Sequence, residues 1–596
     1  MKHAQRNRLG TPWQPFWCVM ARCREAVVSD AYKGFGVAYR GNEEELRRAL
    51  GNIACSRRVS DELAFVYYDY PQELQGGKEY PFGLMQKCYG LLSEQELSVS
   101  GVLSLREGET TSLYGSGTLL GFVDTGIDYA EEAFRYSDGS TRLLGLWDQT
   151  ISAGSGGNGG ENAGETGRED EREAESGGAA FYGTVFSTEE INQALAQQNP
   201  YEQVPSRDEN GHGSALVRAA AGSTGRSAGE PDYGGAAPLA GLAVVKLKQA
   251  KPYLRRFYEI PENAVCYAEE DIIYGIEWLL SVAKREGIPL VVCVALGSNQ
   301  GNHTASTVLS RYLDRIARIP GVCVVVAGGN ESGRGHHYFG RVPEGGYEDV
   351  ELLVGEGEQS FCTELWAVQP DLFTVELTTP AGEVIPRIPG RVSYIRRYTL
   401  FFEGGSVDIQ SNLFDPSVGT QGIWLRFSGV PAGIWKIRVY AEGEFQRTFH
   451  LWLPIEPFLT GDTRFLRPDP YTLICDPGAA KEVLTLAAYD AVSGALNLNS
   501  SFGYTADGTI KPDVAAPGGT DRFSGTGLAA SFAGGCAALF MEAVLKQTGA
   551  AFVDTQIVKR LFTATAVRDR GEYPNREWGY GKLDLYGVFV RSPGRQ

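Results

Sequence analysis

Gly121-Phe122-Val123-Asp124-Thr125-Gly126-Ile127-Asp128 decides the fold. An apolar run closes on an acid, and turn residues follow at once. A strand buried on both faces reads this way, because neither face can carry polar side chains. Comparable runs occupy Gly117 to Gly126, Leu239 to Lys248, Ile288 to Gly297, Val322 to Gly329 and Val483 to Ala488. Helical periodicity lies between them. The clearest case is Asp271 to Glu286, where Ile272, Ile273, Ile276, Leu279, Leu280 and Ala283 share one face. This alternation predicts an α/β fold with a doubly wound, mostly parallel sheet, its site at the C-terminal ends of the strands.

Outward from that core, residues 1–95 read as a small α/β unit, with a strand at Ala64 to Tyr68 and a charged helix at Glu43 to Leu50. Residues 96–344 form the first part of the α/β domain. Within it, residues 152–178 are rich in Gly, Glu and Ser without an apolar period, which predicts a flexible acidic loop. Ser187-Thr188-Glu189-Glu190 has the spacing of a capping box opening a helix through Leu195. Residues 345–476 change character: Leu372 to Leu377 and Trp435 to Tyr440 alternate between Pro, Gly and Asp turns. An inserted β-sandwich of jelly-roll type is expected there. Residues 477–596 resume the α/β pattern.

The net charge of −18 over 596 residues excludes generic binding to nucleic acid or anionic membrane, both of which need basic faces. No apolar run reaches the roughly 20 residues that span a bilayer. Trp13 to Met20 is apolar but is closed early by Arg22, Arg24 and Glu25, so no signal peptide is expected. Ten cysteines without a C-x-x-C pair point to reduced, buried thiols in a cytoplasmic setting. The six histidines show no metal-ligand spacing, so neither metal nor cofactor is expected.

Three polar residues stand at the ends of these runs. Asp124 closes a strand, His212 lies in Gly211-His212-Gly213 before the small-residue helix Ala215 to Ala221, and Asn330 ends Ala327-Gly328-Gly329-Asn330. Each alone reads as a turn former or a packed residue. In this order and context they resemble the subtilisin-like (S8) serine proteases. Lys511-Pro512-Asp513-Val514-Ala515-Ala516-Pro517-Gly518 and Trp578-Gly579-Tyr580-Gly581 match further segments of that family, over about Gly117 to His336 and Val483 to Leu585. The resemblance implies that Asp124 orients His212, His212 serves as general base, and Asn330 binds the oxyanion. The nucleophile should follow Gly525-Thr526, and there the chain has Gly527. In subtilisin itself, losing that serine costs roughly a million-fold in turnover. The expectation is a scaffold whose peptidase chemistry is lost, with a protein or peptide as partner.

Leu146-Trp147-Asp148-Gln149-Thr150, Leu296-Gly297-Ser298-Asn299-Gln300-Gly301 and Gly335-His336-His337-Tyr338 resemble more narrowly the clostridial spore-germination subtilases, the Csp group. That likeness implies an N-terminal prodomain, an inserted jelly roll, a cytoplasmic or spore-associated location, and other germination proteases as partners. Without a nucleophile the prodomain cannot be removed by the chain itself. The alternative is an active endopeptidase processing a protein precursor, with Thr526, Ser524 or Ser531 as substitute, or with an engineered Gly527. A third reading, a small-molecule sensor, has no residue pattern to name a ligand.

Overall fold

A computed structural model describes residues 23–39, 46, 50, 53–60, 62–69, 85–91, 113–152, 180, 182–223, 234–368, 370–415, 419–520, 523–550, 552–569 and 571–590. The expected acidic loop, most of the Glu43 to Leu50 helix and the Trp13 to Met20 stretch lie outside these residues. The chain divides into two units, residues 1–78 and 79–596.

In the smaller unit a helix at 23–28 accompanies a three-stranded antiparallel sheet in the order Tyr32–Ala38, Leu63–Asp69, Cys55–Arg58. Phe65 and Tyr67 are fully buried in it. Here the expectation of uniformly reduced thiols is corrected: Cys23 and Cys55 form a disulfide, with Cα atoms 5.4 Å apart. The helix and strand bring together two cysteines 32 residues apart, a proximity that no local spacing encodes. The other described cysteines are free and buried.

The larger unit is built on an eight-stranded sheet. Its strands are β1 Leu119–Asp124, β2 Leu143–Asp148, β3 Thr184–Phe186, β4 Gly241–Lys246, β5 Leu290–Val294, β6 Val322–Ala327, β7 Leu484–Tyr489 and β8 Val514–Pro517. They lie in the order β8-β7-β6-β5-β1-β4-β2-β3. All neighbours are parallel except β3, which runs antiparallel to β2. Every residue of β1, β5 and β6 is buried, as their uninterrupted apolar runs require. Helices α1 His212–Ala221, α2 Glu269–Glu286, α3 Val308–Ile316 and α4 Thr526–Thr548 pack around this sheet. The capping box at Ser187 and Glu190 closes both of its bonds.

Helix α4 is long and apolar enough to cross a membrane, yet most of it is buried inside the fold. Its small residues explain how. A Cβ on Gly534 would lie 2.4 Å from Cys293 Sγ of β5, and one on Gly535 would lie 2.4 Å from Ala220 O of α1. Glycine lets the helix backbone settle onto sheet and helix at once. Fully burying Leu528, Phe532 or Leu539 in that position then contributes about 1.5–3 kcal/mol each.

Between β6 and β7 the chain forms two antiparallel sheets, of six and five strands, from His337 to Phe465. Val350, Phe361, Leu377, Ile409, Phe427 and Trp435 belong to one core shared by both sheets.

Candidate active site

Asp124 is the last residue of β1 and His212 the first of α1. His212 Nδ1 lies 2.6 Å from Asp124 Oδ1, with both side chains buried. The same oxygen accepts from Thr125 N at 2.7 Å. A carboxylate acceptor at Nδ1 puts the proton there and leaves Nε2 as the basic nitrogen of the neutral ring. Two features hold this geometry. Gly213 permits the closest approach, since a Cβ there would lie 2.1 Å from Gly126 O. Asp208 ties the loop down. It accepts from Gly211 N at 2.9 Å, Ser214 N and Ser214 Oγ at 2.8 Å each, and Thr125 Oγ1 at 2.7 Å. Sequence reasoning passed over Asp208 because an acid in a polar loop looks like surface.

Asn330 follows β6, and its Oδ1 accepts from Thr526 N and Thr526 Oγ1, each at 3.1 Å. Those bonds orient the amide, making Nδ2 its donor branch. Thr526 Oγ1 also accepts from Gly329 N at 3.0 Å, so this hydroxyl is committed at both its proton and its lone pair. Gly527 is the second residue of α4 and is buried. Ser531 lies on the same helix face one turn deeper, about 6 Å along the axis, with its Oγ buried. The Ser524 side chain lies outside the described ones.

The two pairs lie at the same end of the sheet because α1 and α4 run the same way. Helix α1 starts at Asp124 and ends where Arg142, just before β2, donates to Ala221 O. Helix α4 starts at Gly329, just after β6, and reaches Cys293 in β5 by Gly534. Both therefore descend from the C-terminal to the N-terminal ends of the strands. They touch at Ala220 and Gly535, each eight residues beyond His212 and Gly527.

Cys88–Leu91 is the middle strand of a three-stranded sheet between Leu296–Gly297 and Tyr267–Ala268. Leu91 and Gly90 pair antiparallel with Leu296 and Gly297, while Cys88 and Tyr89 pair with Ala268 and Tyr267. Cys88 N donates to Gln300 Oε1 at 3.0 Å, and Glu270 N donates to Gln86 Oε1 at 3.0 Å. Met85 through Tyr89 are buried. Nothing in the sequence marked this strand, because four residues carry no period.

The profile of the subtilase family matches residues 115–352 and 467–581. Among solved structures, the Clostridium perfringens CspB protease superposes with a TM-score of 0.69 at 25% identity, over 83% of this chain and 98% of that one. Fervidolysin from Fervidobacterium pennivorans, a keratinolytic enzyme related to subtilisin, gives 0.44 at 11% identity, over 95% of this chain and 62% of its own. The patellamide maturation protease PatA gives 0.37 at 13% identity, over 81% and 98%. No curated protein matches the sequence.

Proposed function

The chain belongs to the subtilase family, and from that premise we propose that it is a pseudoprotease, a subtilisin-like scaffold that binds or regulates a protein partner without cutting it. Gly527 carries this reading: it offers no oxygen where the family presents its nucleophile. Asp124 and His212 keep the hydrogen bond that would orient a general base, and Asn330 keeps an amide that would stabilise an oxyanion. With no hydroxyl to deprotonate, that apparatus forms no acyl-enzyme. The nearest candidates for rescue are a Thr526 hydroxyl held by two bonds and a Ser531 hydroxyl buried a turn below.

Residues 1 to about 95 are read as a prodomain left attached, since its removal needs the missing nucleophile. The strand Cys88–Leu91 pairs on both sides within the larger unit, which supports its staying packed there. The two-sheet insertion is read as a jelly roll. Likeness to CspB supports a place among the Csp subtilases, and with it a role in spore-germination signalling, spore-associated or cytoplasmic, beside other germination proteases. Casein turnover by the purified wild type should equal that of His212→Ala. Activity that His212→Ala abolishes overturns the reading.

A further inference from the structure

The five-stranded sheet of the insertion has one face in the shared core, reached by Val350, Val375, Leu377 and Val439. Side chains alternate along a strand, so the positions between them face the other way. Those positions carry ion pairs and aromatic rings. Arg438 holds Asp349 through bonds of 2.6 and 2.9 Å, and Lys436 lies 3.6 Å from the same carboxylate. Arg387 donates to Thr374 Oγ1 at 2.7 Å and to Glu442. The guanidiniums of Arg438 and Arg387 lie over the rings of Tyr347 and Tyr440, at 3.8 and 4.1 Å.

At one end of this face a cavity of about 430 Å³ opens among Tyr347, Arg387, Tyr440, Glu442, Gly443 and Arg447, a size that small-molecule sites commonly have. Asp371 lies against it and is 2% exposed. Its Oδ2 accepts from Arg447 N, while its buried Oδ1 has no partner among the described residues. A bare acceptor in a buried place is costly, and it calls for a donor. Gly443 leaves the space beside that oxygen open. A Cβ there would lie 3.1 Å from Asp371 Oδ1 and 3.9 Å from Phe445 Cδ2. The Phe445 ring is 69% exposed, an apolar plate beside the opening. Arg447 supplies donors, since the carboxylate it faces, Glu344, is 3.9 Å away and beyond hydrogen-bond reach.

We propose that this cavity binds a neutral sugar, a mono- or disaccharide. Charge balance selects the class. Arg387 and Arg447 stand against Glu442 and Asp371, two cations against two anions, so a charged ligand gains one partner and meets another of its own sign. A hydroxyl is donor and acceptor at once. It can donate to Asp371 Oδ1 and accept from Arg447 while the C–H face of the ring lies on Phe445. A face that is merely solvated needs neither a bare buried oxygen nor an exposed phenyl ring beside it. The site belongs to the insertion and stands whether or not the α/β domain cuts peptides.

The test applies saturation-transfer NMR to the full-length protein with maltose, cellobiose and N,N′-diacetylchitobiose at millimolar concentration. Glutamate and glucuronate serve as the zwitterion and the acid. At least one disaccharide should give a saturable signal, and glutamate and glucuronate should bind at least tenfold more weakly. Gly443→Ala sets a methyl against Asp371 Oδ1, and Phe445→Ala removes the plate. Each should weaken the sugar at least tenfold with an unchanged Tm. Silence from all three sugars, equal or tighter binding of glutamate or glucuronate, or unchanged sugar affinity in either folded variant overturns the proposal. Casein turnover plays no part in these readouts, so the pseudoprotease reading stands or falls separately.

Discussion

Mild acid should destabilise this protein, because it buries three histidines in one stack. His303 stacks on Trp452 at 4.2 Å, and His450 lies 4.9 Å from the same indole. His337 Nε2 sits 2.9 Å from His450 Nδ1. His303 faces two carbonyls, Ile474 O at 2.7 Å and Asn299 O at 3.2 Å. Burial drives His303 down to about 4 and His450 to about 3. It also drives His337 well below its ordinary value, with repulsion from His450 and His303 adding to it. The unfolded chain takes up these protons from pH 6.5 downward, while the native fold refuses them until far lower. The stabilisation is therefore complete above pH 6.5 and is lost as pH falls. At pH 5 His303 and His450 cost about 2 kcal/mol each. Glu269 acts the other way. Burial raises it to about 7, so its contribution is complete below pH 4.5 and is lost as pH rises through 7. Between pH 7 and 5 it returns about 2 kcal/mol. The net loss is about 2 kcal/mol, with His337 adding in the same direction, out of a typical 5–15 kcal/mol. Urea unfolding followed by tryptophan fluorescence at pH 7 and pH 5 reads this, with Trp452 as an internal reporter. His450→Gln should remove about 2 kcal/mol of the pH dependence. A midpoint that is equal or higher at pH 5 would refute the reasoning.

Other outcomes follow from single contacts. Asp208→Ala strips four bonds from the His212 loop and should cost about 3 kcal/mol. Thermal unfolding checks this, and an unchanged Tm would show that the loop holds itself. Gly213→Ala drives a methyl into Gly126 O and should destabilise by about 2 kcal/mol or more. Soluble variant with wild-type Tm would mean the two turns can separate cheaply. Alkylation in urea without reductant should modify eight of the ten cysteines, the Cys23–Cys55 pair being protected. Ten modified thiols would contradict the disulfide.

The long buried runs were legible because their physics is one-dimensional: Val322 to Gly329 and Val483 to Ala488 have no polar face, and the structure places β6 and β7 there. Asp124, His212 and Asn330 were legible as strand-end and helix-start residues, and their elements bring them to one end of the sheet. The strand pair Phe373–Thr378 and Gly433–Ala441 follows the alternation seen in sequence. What sequence did not give was pairing across the chain. Glu269 reads as an ordinary first-turn acid of α2, and Asp476 as a turn residue before Pro477. Only the fold carries them to Tyr89, 180 and 387 residues away. Helix α4 was unmarked as a span because its apolar content is broken by glycine and serine, the small residues that let it lie in the core.

The central claim is that a competent scaffold lacks only its nucleophile. The most direct measurement is the intact mass of purified wild type beside Gly527→Ser and Gly527→Ser combined with His212→Ala. The account predicts a wild type at its full 64.7 kDa, Gly527→Ser cut once shortly after Leu91, and an uncut double variant. A wild type already cut near residue 95, with that cut abolished by His212→Ala alone, would contradict it.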